Sequence, residues 1–279
     1  MSMRIVIVGG RGRMGSRFAA ELGARGHAVD VLEAGDPRPE ADVVGVADVV
    51  MLAVPMRLAA ERALALGPLV RRDALLCDIN SLKVEVCAAA ERACAGEVLG
   101  LHPMFGPSVH TLEHQKLVVC RVRGGPRTEA LLGELAATGM TLFESDPETH
   151  DRMMAVVQVL THFRTLVMGE ALRRVGVGIE QSLDYTSPIY RLELAVVGRL
   201  FVQDPDLYAE IEMQNPFGDE VRRAFRDSAT DLAALIDGND RDGFRALFAN
   251  VRDYFGPFAE EAHELSDSVI DLVASRAPR

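Results

Sequence analysis

The chain has 279 residues, 48% of them hydrophobic and 25% charged, which suits a globular protein of one large or two modest domains. Its 30 basic and 41 acidic side chains give a net charge of −11 with no basic stripe, so a nucleic-acid partner is not expected and an anionic small molecule is allowed. The N-terminus lacks the pattern of a signal peptide, and the longest apolar run, residues 49–54, is too short for a membrane span, so we expect a cytoplasmic protein without a membrane partner.

A strand is predicted at residues 4–8, and a glycine-rich loop and an amphipathic helix follow it. The apolar residues of this helix recur every four positions: Met14, Phe18 and Leu22. The pattern Gly10-x-Gly12-x-x-Gly15 lies between strand and helix, the context in which it binds a dinucleotide. We expect Gly10 to make the tight turn, Gly12 to let a pyrophosphate approach the backbone, and Gly15 to let the helix pack on the strand. The loop therefore predicts a Rossmann-type dinucleotide site.

An acidic residue, Glu33, ends the second predicted strand at residues 28–33. A carboxylate at this place binds both ribose hydroxyls and repels a 2′-phosphate, so Glu33 favours NAD over NADP. Arg11 and Arg13 could act in the opposite sense by pairing with that phosphate. Together with Met14 and the three glycines, these residues form the predicted cofactor-binding set.

The rest of the first half alternates strands with helices, and the second half is helical. Further strands are predicted at residues 49–54, 74–79, 98–101, 117–122 and 141–144, with a helix at 127–137. Helical periodicity then covers residues 149–175, 190–202, 219–236, 241–254 and 259–275. The predicted fold class is α/β, with a doubly wound, mainly parallel Rossmann domain at residues 1–147. An all-helical domain for substrate binding and dimerisation is predicted at residues 148–279.

Polar side chains follow two neighbouring predicted strands, at the places where ligands bind in open α/β sheets. Ser81 and Lys83 come directly after one strand, and His102 follows the next. In the helical half, His150-Asp151 heads the first long helix. These groups are the candidates for a chemical site.

The segments that carry these residues resemble the prephenate dehydrogenase family, especially the dehydrogenase half of the bifunctional chorismate mutase/prephenate dehydrogenases. The resemblance covers nearly the whole chain, through VIVGGRGRMG, LGLHPMFGP, SPIYRLELAVVGRLF, QDPDLYAEI and FGPFAEEA. It implies oxidative decarboxylation of a cyclohexadiene: hydride leaves ring C4 for NAD⁺, CO₂ leaves ring C1, and the ring becomes aromatic. It also implies a homodimer. No mutase segment precedes the glycine loop, so we expect a monofunctional dehydrogenase.

Two residues are predicted to be catalytic. His102 would accept the C4 hydroxyl proton as a neutral imidazole, because histidine titrates near the operating pH. The alternative for His102 is a loop histidine that bonds the backbone. The resemblance implies that Ser81 holds the tautomer of His102 or touches the same hydroxyl. The alternative for Ser81 is an N-cap of the following helix.

Arginines on one predicted helix are expected to bind the anionic substrate. Arg199 resembles the family's carboxylate anchor, and a guanidinium is a natural bidentate partner for a carboxylate. Arg191 lies eight residues earlier on the same helix and could serve the second carboxylate. A salt bridge to Glu193 or Glu180 is an equally good interpretation of Arg191.

Three further positions each allow a functional and a structural interpretation. Lys83 could screen the substrate dianion or form a surface ion pair. His162 matches a family position near the substrate, and its spacing equally suits a histidine at the edge of a core. His150-Asp151 matches the family too, but a helix start in which Asp151 favours the dipole explains it nearly as well.

Two other functions compete with this assignment. A β-hydroxyacid dehydrogenase or imine reductase would typically place a lysine or acid in the interdomain helix, and this chain has no lysine after Lys116. A catalytically silent nucleotide sensor should have lost His102 and Arg199, and the chain retains both.

The substrate itself stays open among prephenate, arogenate and 4-amino-4-deoxyprephenate. Only two of the 30 basic residues are lysines, a ratio that suggests a GC-rich genome. Monofunctional relatives in GC-rich, antibiotic-producing bacteria act on the amino compound, which makes antibiotic precursor biosynthesis the second candidate role. No metal is expected, since the cysteines lack zinc-type spacing and read as buried structural thiols: Cys77, Cys87, Cys94 and Cys120.

Overall fold

The computed structural model describes residues 2–276, which divide into two compact units. The first unit extends to Ala155 and also includes Met213–Phe217. The second contains Val156–Glu212 and the residues from Gly218 onward.

A seven-stranded sheet forms the centre of the first unit within the described residues. Its strands are β1 (Arg4–Val8), β2 (Ala28–Leu32), β3 (Val49–Leu52), β4 (Leu75–Asp78), β5 (Glu97–Pro103), β6 (Lys116–Arg123) and β7 (Thr141–Ser145). Their order is β2-β1-β3-β4-β5-β6-β7, and the pairs are parallel except β5 with β6. The chain leaves β1 towards β2 and returns to β3 on its other side. The carboxyl ends of β1 and β3 therefore border a topological switch point, where doubly wound sheets bind ligands.

Helices occur in both units. In chain order they are α1 (Arg13–Ala24), α2 (Glu40–Val44), α3 (Met56–Leu66), α4 (Val84–Ala93), α5 (Pro126–Ala136), α6 (Pro147–Met154), α7 (Thr161–Val175), α8 (Ile179–Leu183), α9 (Pro188–Phe201), α10 (Pro205–Gln214), α11 (Gly218–Asp237), α12 (Arg241–Phe255) and α13 (Phe258–Arg276). A short 3₁₀ turn, Gly67–Leu69, follows α3. In the second unit α9 packs against α7 and α13, which makes it the central helix of that unit.

Alternating side chains of the strands supply a core on each face of the sheet. Val6 and Val8 of β1 belong to one buried apolar cluster, and Ile5 and Ile7 belong to the other. Successive side chains of a strand point to opposite faces, so a continuous apolar run is what a sheet covered by helices on both sides requires. The predicted α/β fold with a helical second half is confirmed in these elements.

Two differences from the sequence-based prediction bear on the candidate site. A π-helical segment, Ala155–Leu160, separates α6 from α7, where the periodicity predicted one uninterrupted helix. Strand β5 is longer than expected, so His102 lies on the strand and pairs with Val118 of β6. The interpretation of His102 as a loop histidine is therefore wrong.

The cysteines are free and buried, as predicted: Cys77, Cys87, Cys94 and Cys120. Burial raises the pKa of the Cys120 thiol to about 12, so it stays protonated and unreactive near neutral pH. None of the helices within residues 2–276 combines the length and the apolar character that crossing a membrane requires.

Candidate active site

The glycine loop follows β1 at the switch point. Gly9 has a φ of +79°, and a Cβ atom there would lie 2.8 Å from the carbonyl oxygen of Ala53, just after β3. A Cβ atom on Gly15 would lie 2.8 Å from both Gly10 Cα and the Gly9 carbonyl oxygen. Only glycine therefore allows α1 to approach the loop so closely.

The same loop leaves room for an anion at the start of α1. Gly12 is the N-cap residue and has no side chain with which to satisfy the first N–H groups of the helix. These N–H groups and the positive end of the helix dipole suit a phosphate. Met14 lies half-buried in the first turn, while the side chains of Arg11 and Arg13 are exposed. The residues present therefore fit a dinucleotide, as a Rossmann loop should.

Glu33 lies directly after β2 and contacts the loop. Its Oε1 atom accepts a hydrogen bond from the backbone N–H of Arg11 at 2.7 Å. The carboxylate thus positions the loop, a role that spacing alone did not predict. Arg38, which sequence reasoning also missed, bonds Asp30 at 2.6 Å and Asp36 at 2.8 Å. Hydrogen bonds from Arg38 lower the pKa of Asp36 to about 2, so this carboxylate stays ionised.

Lys83 is entirely buried, with a side-chain exposure of 0%. Its ammonium group forms an ion pair with Asp78 at the end of β4 and donates a hydrogen bond to the Leu101 carbonyl oxygen at 2.8 Å. The Asp78 carboxylate also accepts the N–H of Asn80 at 2.9 Å. The interpretation of Lys83 as a surface ion pair is wrong, because its partner is buried too. Its role in screening the substrate stays a prediction.

His102 belongs to a line of buried polar side chains. Its Nδ1 atom lies 2.9 Å from Nε2 of His150, and Nδ1 of His150 lies 2.7 Å from Oδ1 of Asp151. The two histidines are 3% and 2% exposed, and their rings meet edge to face. Sequence reasoning noted His150-Asp151 but did not connect it to His102, which is 48 residues away.

The carboxylate of Asp151 caps a helix other than its own. It accepts the backbone N–H of Lys83 at 2.7 Å and that of Val84 at 2.8 Å, at the start of α4. The cap of α6 is instead Asp146, which accepts the N–H of Thr149 at 2.9 Å. The prediction that Asp151 lies at the start of its own helix is therefore wrong, because Asp151 bonds the start of α4 instead.

Ser81 lies half-buried between β4 and α4. The N-cap position of α4 is occupied by Lys83, and the carboxylate that bonds its first turn is that of Asp151. The interpretation of Ser81 as the N-cap is therefore wrong, and its hydroxyl is not committed to that helix.

Burial, the neighbouring His150 and the Lys83 charge all lower the pKa of His102, which lies well below the usual histidine value. The imidazole is consequently neutral at physiological pH and can accept a proton.

The second unit gathers another polar group. The ring of His162 on α7 lies 4.9 Å from that of Tyr208 on α10, edge to face. Burial raises the pKa of Tyr208, while the nearby charge of Arg199 on α9 lowers it, which places Arg199 within electrostatic reach of the phenol. Burial lowers the pKa of His162, and its Nδ1 atom is buried without a hydrogen-bond partner among the described residues.

Arg199 is exposed within the chain, and Arg191 lies half-buried on the first turn of α9. Glu193 pairs with Arg164 at 3.8 Å. Among the described residues, neither Glu193 nor Glu180 forms an ion pair with Arg191. Tyr208 is the residue of this group that sequence reasoning missed, although it lies inside the segment QDPDLYAEI.

Comparison with known proteins places this arrangement in a family. A family model for the nucleotide-binding domain of prephenate dehydrogenase matches residues 21–120, and one for the dimerization domain of prephenate dehydrogenase matches residues 146–250. The T-protein of Haemophilus influenzae is 37% identical over 96% of this chain and 72% of its own length. The 4-amino-4-deoxyprephenate dehydrogenase of Streptomyces pristinaespiralis is 31% identical over 94% of each chain.

A solved structure shares the fold. The crystal structure of prephenate dehydrogenase from Aquifex aeolicus in complex with hydroxyphenyl propionate and NAD⁺ superimposes with a TM-score of 0.68. It is 20% identical in sequence and covers 98% of this chain and 99% of its own. The predicted resemblance and the predicted dehydrogenase class are confirmed, and neither β-hydroxyacid dehydrogenases nor imine reductases are the family that the models match. The chain belongs to the prephenate dehydrogenase family.

Proposed function

We propose that this protein catalyses the NAD⁺-dependent oxidative decarboxylation of prephenate, or a close analogue, to a 4-substituted phenylpyruvate. The observation that carries the proposal is a buried, neutral His102 in a chain of this family, at the carboxyl edge of a sheet that also bears the glycine loop. Membership in the prephenate dehydrogenase family supports the proposal, and so does the solved structure of similar fold that contains NAD⁺.

His102 is the catalytic base in this proposal. It accepts the proton of the C4 hydroxyl while the C4–H bond breaks, and Ser81 orients that hydroxyl. Bound NAD⁺ supplies the acceptor for the hydride. The electron pair of the bond between C1 and the carboxylate then completes the aromatic ring as CO₂ leaves. The proton returns from His102 to the ring oxygen, so no net proton is consumed.

Basic residues of the helical half bind the substrate. Arg199 holds one carboxylate, Arg191 serves the other, and His162 lines the same pocket. The exposure of Arg199 supports this role, because an unshielded guanidinium can form a bidentate pair with an incoming carboxylate. The grouping of His162 and Arg199 about Tyr208 supports a common site for the two.

The cofactor is held by the loop and by the end of β2. We propose that the N–H groups at the start of α1 bind the pyrophosphate and that Glu33 binds the ribose. Replacing Glu33 with serine should shift the ratio of kcat/KM towards NADP⁺, because the repulsion of a 2′-phosphate is removed. The measurement is kcat/KM with each cofactor.

Glu33→Gln is the matched control, since its amide oxygen still accepts the Arg11 N–H while its charge is gone. If the charge of Glu33 determines the cofactor preference, both variants should shift the ratio of kcat/KM towards NADP⁺. A change in Glu33→Ser alone would assign the effect to the loop contact, and a wild type that prefers NADP⁺ would contradict the proposal.

A second candidate substrate is 4-amino-4-deoxyprephenate, because a dehydrogenase named for it aligns with this chain over 94% of both lengths. Purified enzyme should produce NADH, followed at its absorption band, from prephenate, arogenate or this amine. The substrate with the highest kcat/KM identifies the activity. Failure with all three, in protein that binds NAD⁺, would exclude the proposed function.

We also propose a homodimer formed through the helical half. The matched dimerization model and exposed apolar side chains such as Phe201, Phe248 and Phe258 support it. The proposed domain division at residues 147 and 148 is supported by the family model that begins at residue 146, whereas the first compact unit extends to Ala155. The cytoplasmic location stays a prediction.

A further inference from the structure

The line from Asp151 through His150 to His102 has one end whose hydrogen-bonding role is fixed. Asp151 accepts the backbone N–H groups of Lys83 and Val84, and its Oδ1 atom lies 2.7 Å from Nδ1 of His150. The two backbone donors belong to the N-terminus of α4, where the helix dipole favours a negative charge. An ionised carboxylate can only accept hydrogen bonds, so Nδ1 of His150 must carry a hydrogen.

The next hydrogen position follows from the first. A neutral histidine with its hydrogen on Nδ1 has a lone pair on Nε2. Nε2 of His150 therefore accepts, and Nδ1 of His102 donates across the 2.9 Å contact. His102 then has its own lone pair on Nε2, the nitrogen that points away from His150.

The opposite arrangement needs a doubly protonated His150. His102 would then accept at Nδ1 and carry its hydrogen on Nε2, which is useless for removing a proton. That arrangement would bury a second cation in the same cluster as the Lys83 ammonium, where both histidines are nearly inaccessible to water.

We propose that Asp151 and His150 are positioning residues that fix the hydrogen of His102 on Nδ1 and so present Nε2 as the proton acceptor. Asn215 helps to hold them, since its amide donates to the Asp151 carbonyl oxygen at 2.9 Å and its own oxygen accepts the Phe217 N–H at 2.8 Å. The catalytic consequence rests on the proposed function. The tautomer itself does not, and it can be observed without substrate or cofactor.

The test is to record the tautomer by long-range ¹H–¹⁵N correlation on full-length protein with ¹⁵N-labelled histidine. The signals of His102 are assigned by their loss in His102→Asn. Wild type should show His102 protonated at Nδ1 and unprotonated at Nε2. A wild-type His102 protonated at Nε2 would overturn the proposal, whatever reaction the enzyme performs.

Two substitutions of His150 distinguish the loss of the His102 tautomer from a loss of folding. His150→Gln places an amide oxygen near the position of Nε2, so it can still accept from His102 and should keep the tautomer. His150→Leu offers no acceptor, so Nε2 of His102 should become protonated in a large fraction of molecules. Loss of such an orienting partner typically lowers kcat about 10- to 100-fold, and His150→Gln should restore most of it.

The KM for NAD⁺ should not change in either variant, since His150 lies outside the glycine loop. An unchanged tautomer in folded His150→Leu would contradict the proposal. If the expected tautomers are observed but none of the three substrates is turned over, the proposed function is contradicted. The proposal that Asp151 and His150 fix the tautomer of His102 would then still hold.

Discussion

Replacing His102 by asparagine is expected to lower kcat for prephenate by roughly 10²–10⁴-fold, the range that a general base contributes. In the proposed mechanism the C4 hydroxyl loses its proton as hydride departs, and the neutral imidazole of His102 accepts that proton. Asparagine can keep a hydrogen bond near Nδ1 but supplies no base. The measurement is kcat from steady-state rates at saturating NAD⁺ and substrate.

The pH dependence of kcat/KM provides an independent test of the role of His102. In the proposed mechanism the reactive form of His102 is neutral, and its pKa lies well below the usual histidine value because of burial, His150 and the charge of Lys83. Since the neutral form survives as the pH falls to that lowered pKa, the acid limb of kcat/KM should lie below the range of an exposed histidine. In His102→Asn that limb should be absent.

The amine substrate separates proton removal from positioning. The lone pair of a free C4 amine can expel the hydride, and aromatisation then leaves a neutral aryl amine without a strong base. His102→Asn should therefore impair turnover of 4-amino-4-deoxyprephenate much less than turnover of prephenate. Equal losses on both substrates would show that His102 positions the ring and does not act as the base.

Replacing Arg199 by glutamine should raise the substrate KM strongly and leave the Kd for NAD⁺ unchanged. Removing one partner of a hydrogen-bonded charge pair that is buried in the complex, as this pair would be once substrate covers Arg199, typically costs about 2–5 kcal/mol. At about 1.4 kcal/mol for each factor of ten, this corresponds to roughly a 30- to 4,000-fold increase in the substrate KM. Steady-state kinetics with prephenate and direct cofactor titration measure the two quantities.

Arg164 provides the matched control on the same helical unit. It is a half-exposed arginine paired with Glu193, so Arg164→Gln should change KM little. A small change in Arg199→Gln would move the anchor to Arg191, and Arg191→Gln should then show the large effect.

The features that the sequence predicted correctly are set by local patterns. The loop from Gly10 to Gly15 was recognisable because a strand, three glycines and an amphipathic helix follow one another within a few residues. The apolar runs of the sheet were equally visible, because strands covered on both faces are apolar throughout. His102 was found through the motif around it.

The features that it missed depend on contacts between distant segments. Asp151 bonds backbone groups 67 and 68 residues away, and no local pattern of α6 indicates which helix it caps. A surface ion pair was one of the two interpretations of Lys83, because lysines are usually exposed, and only the position of Asp78 in the fold explains its burial. The π-helical segment at Ala155–Leu160 contains no proline or glycine that would announce it.

The cap that Asp151 places on α4 also ties the chemistry to the order of folding. The proposed tautomer of His102 is set only after α6 has docked on α4 and β5, through contacts that join residues 48 to 68 positions apart. Contacts of such separation form late, since the chain must first lose the entropy of closing long loops. We therefore expect activity to return during refolding only when α6 docks, because the hydrogen bonds that are proposed to set the tautomer form at that step.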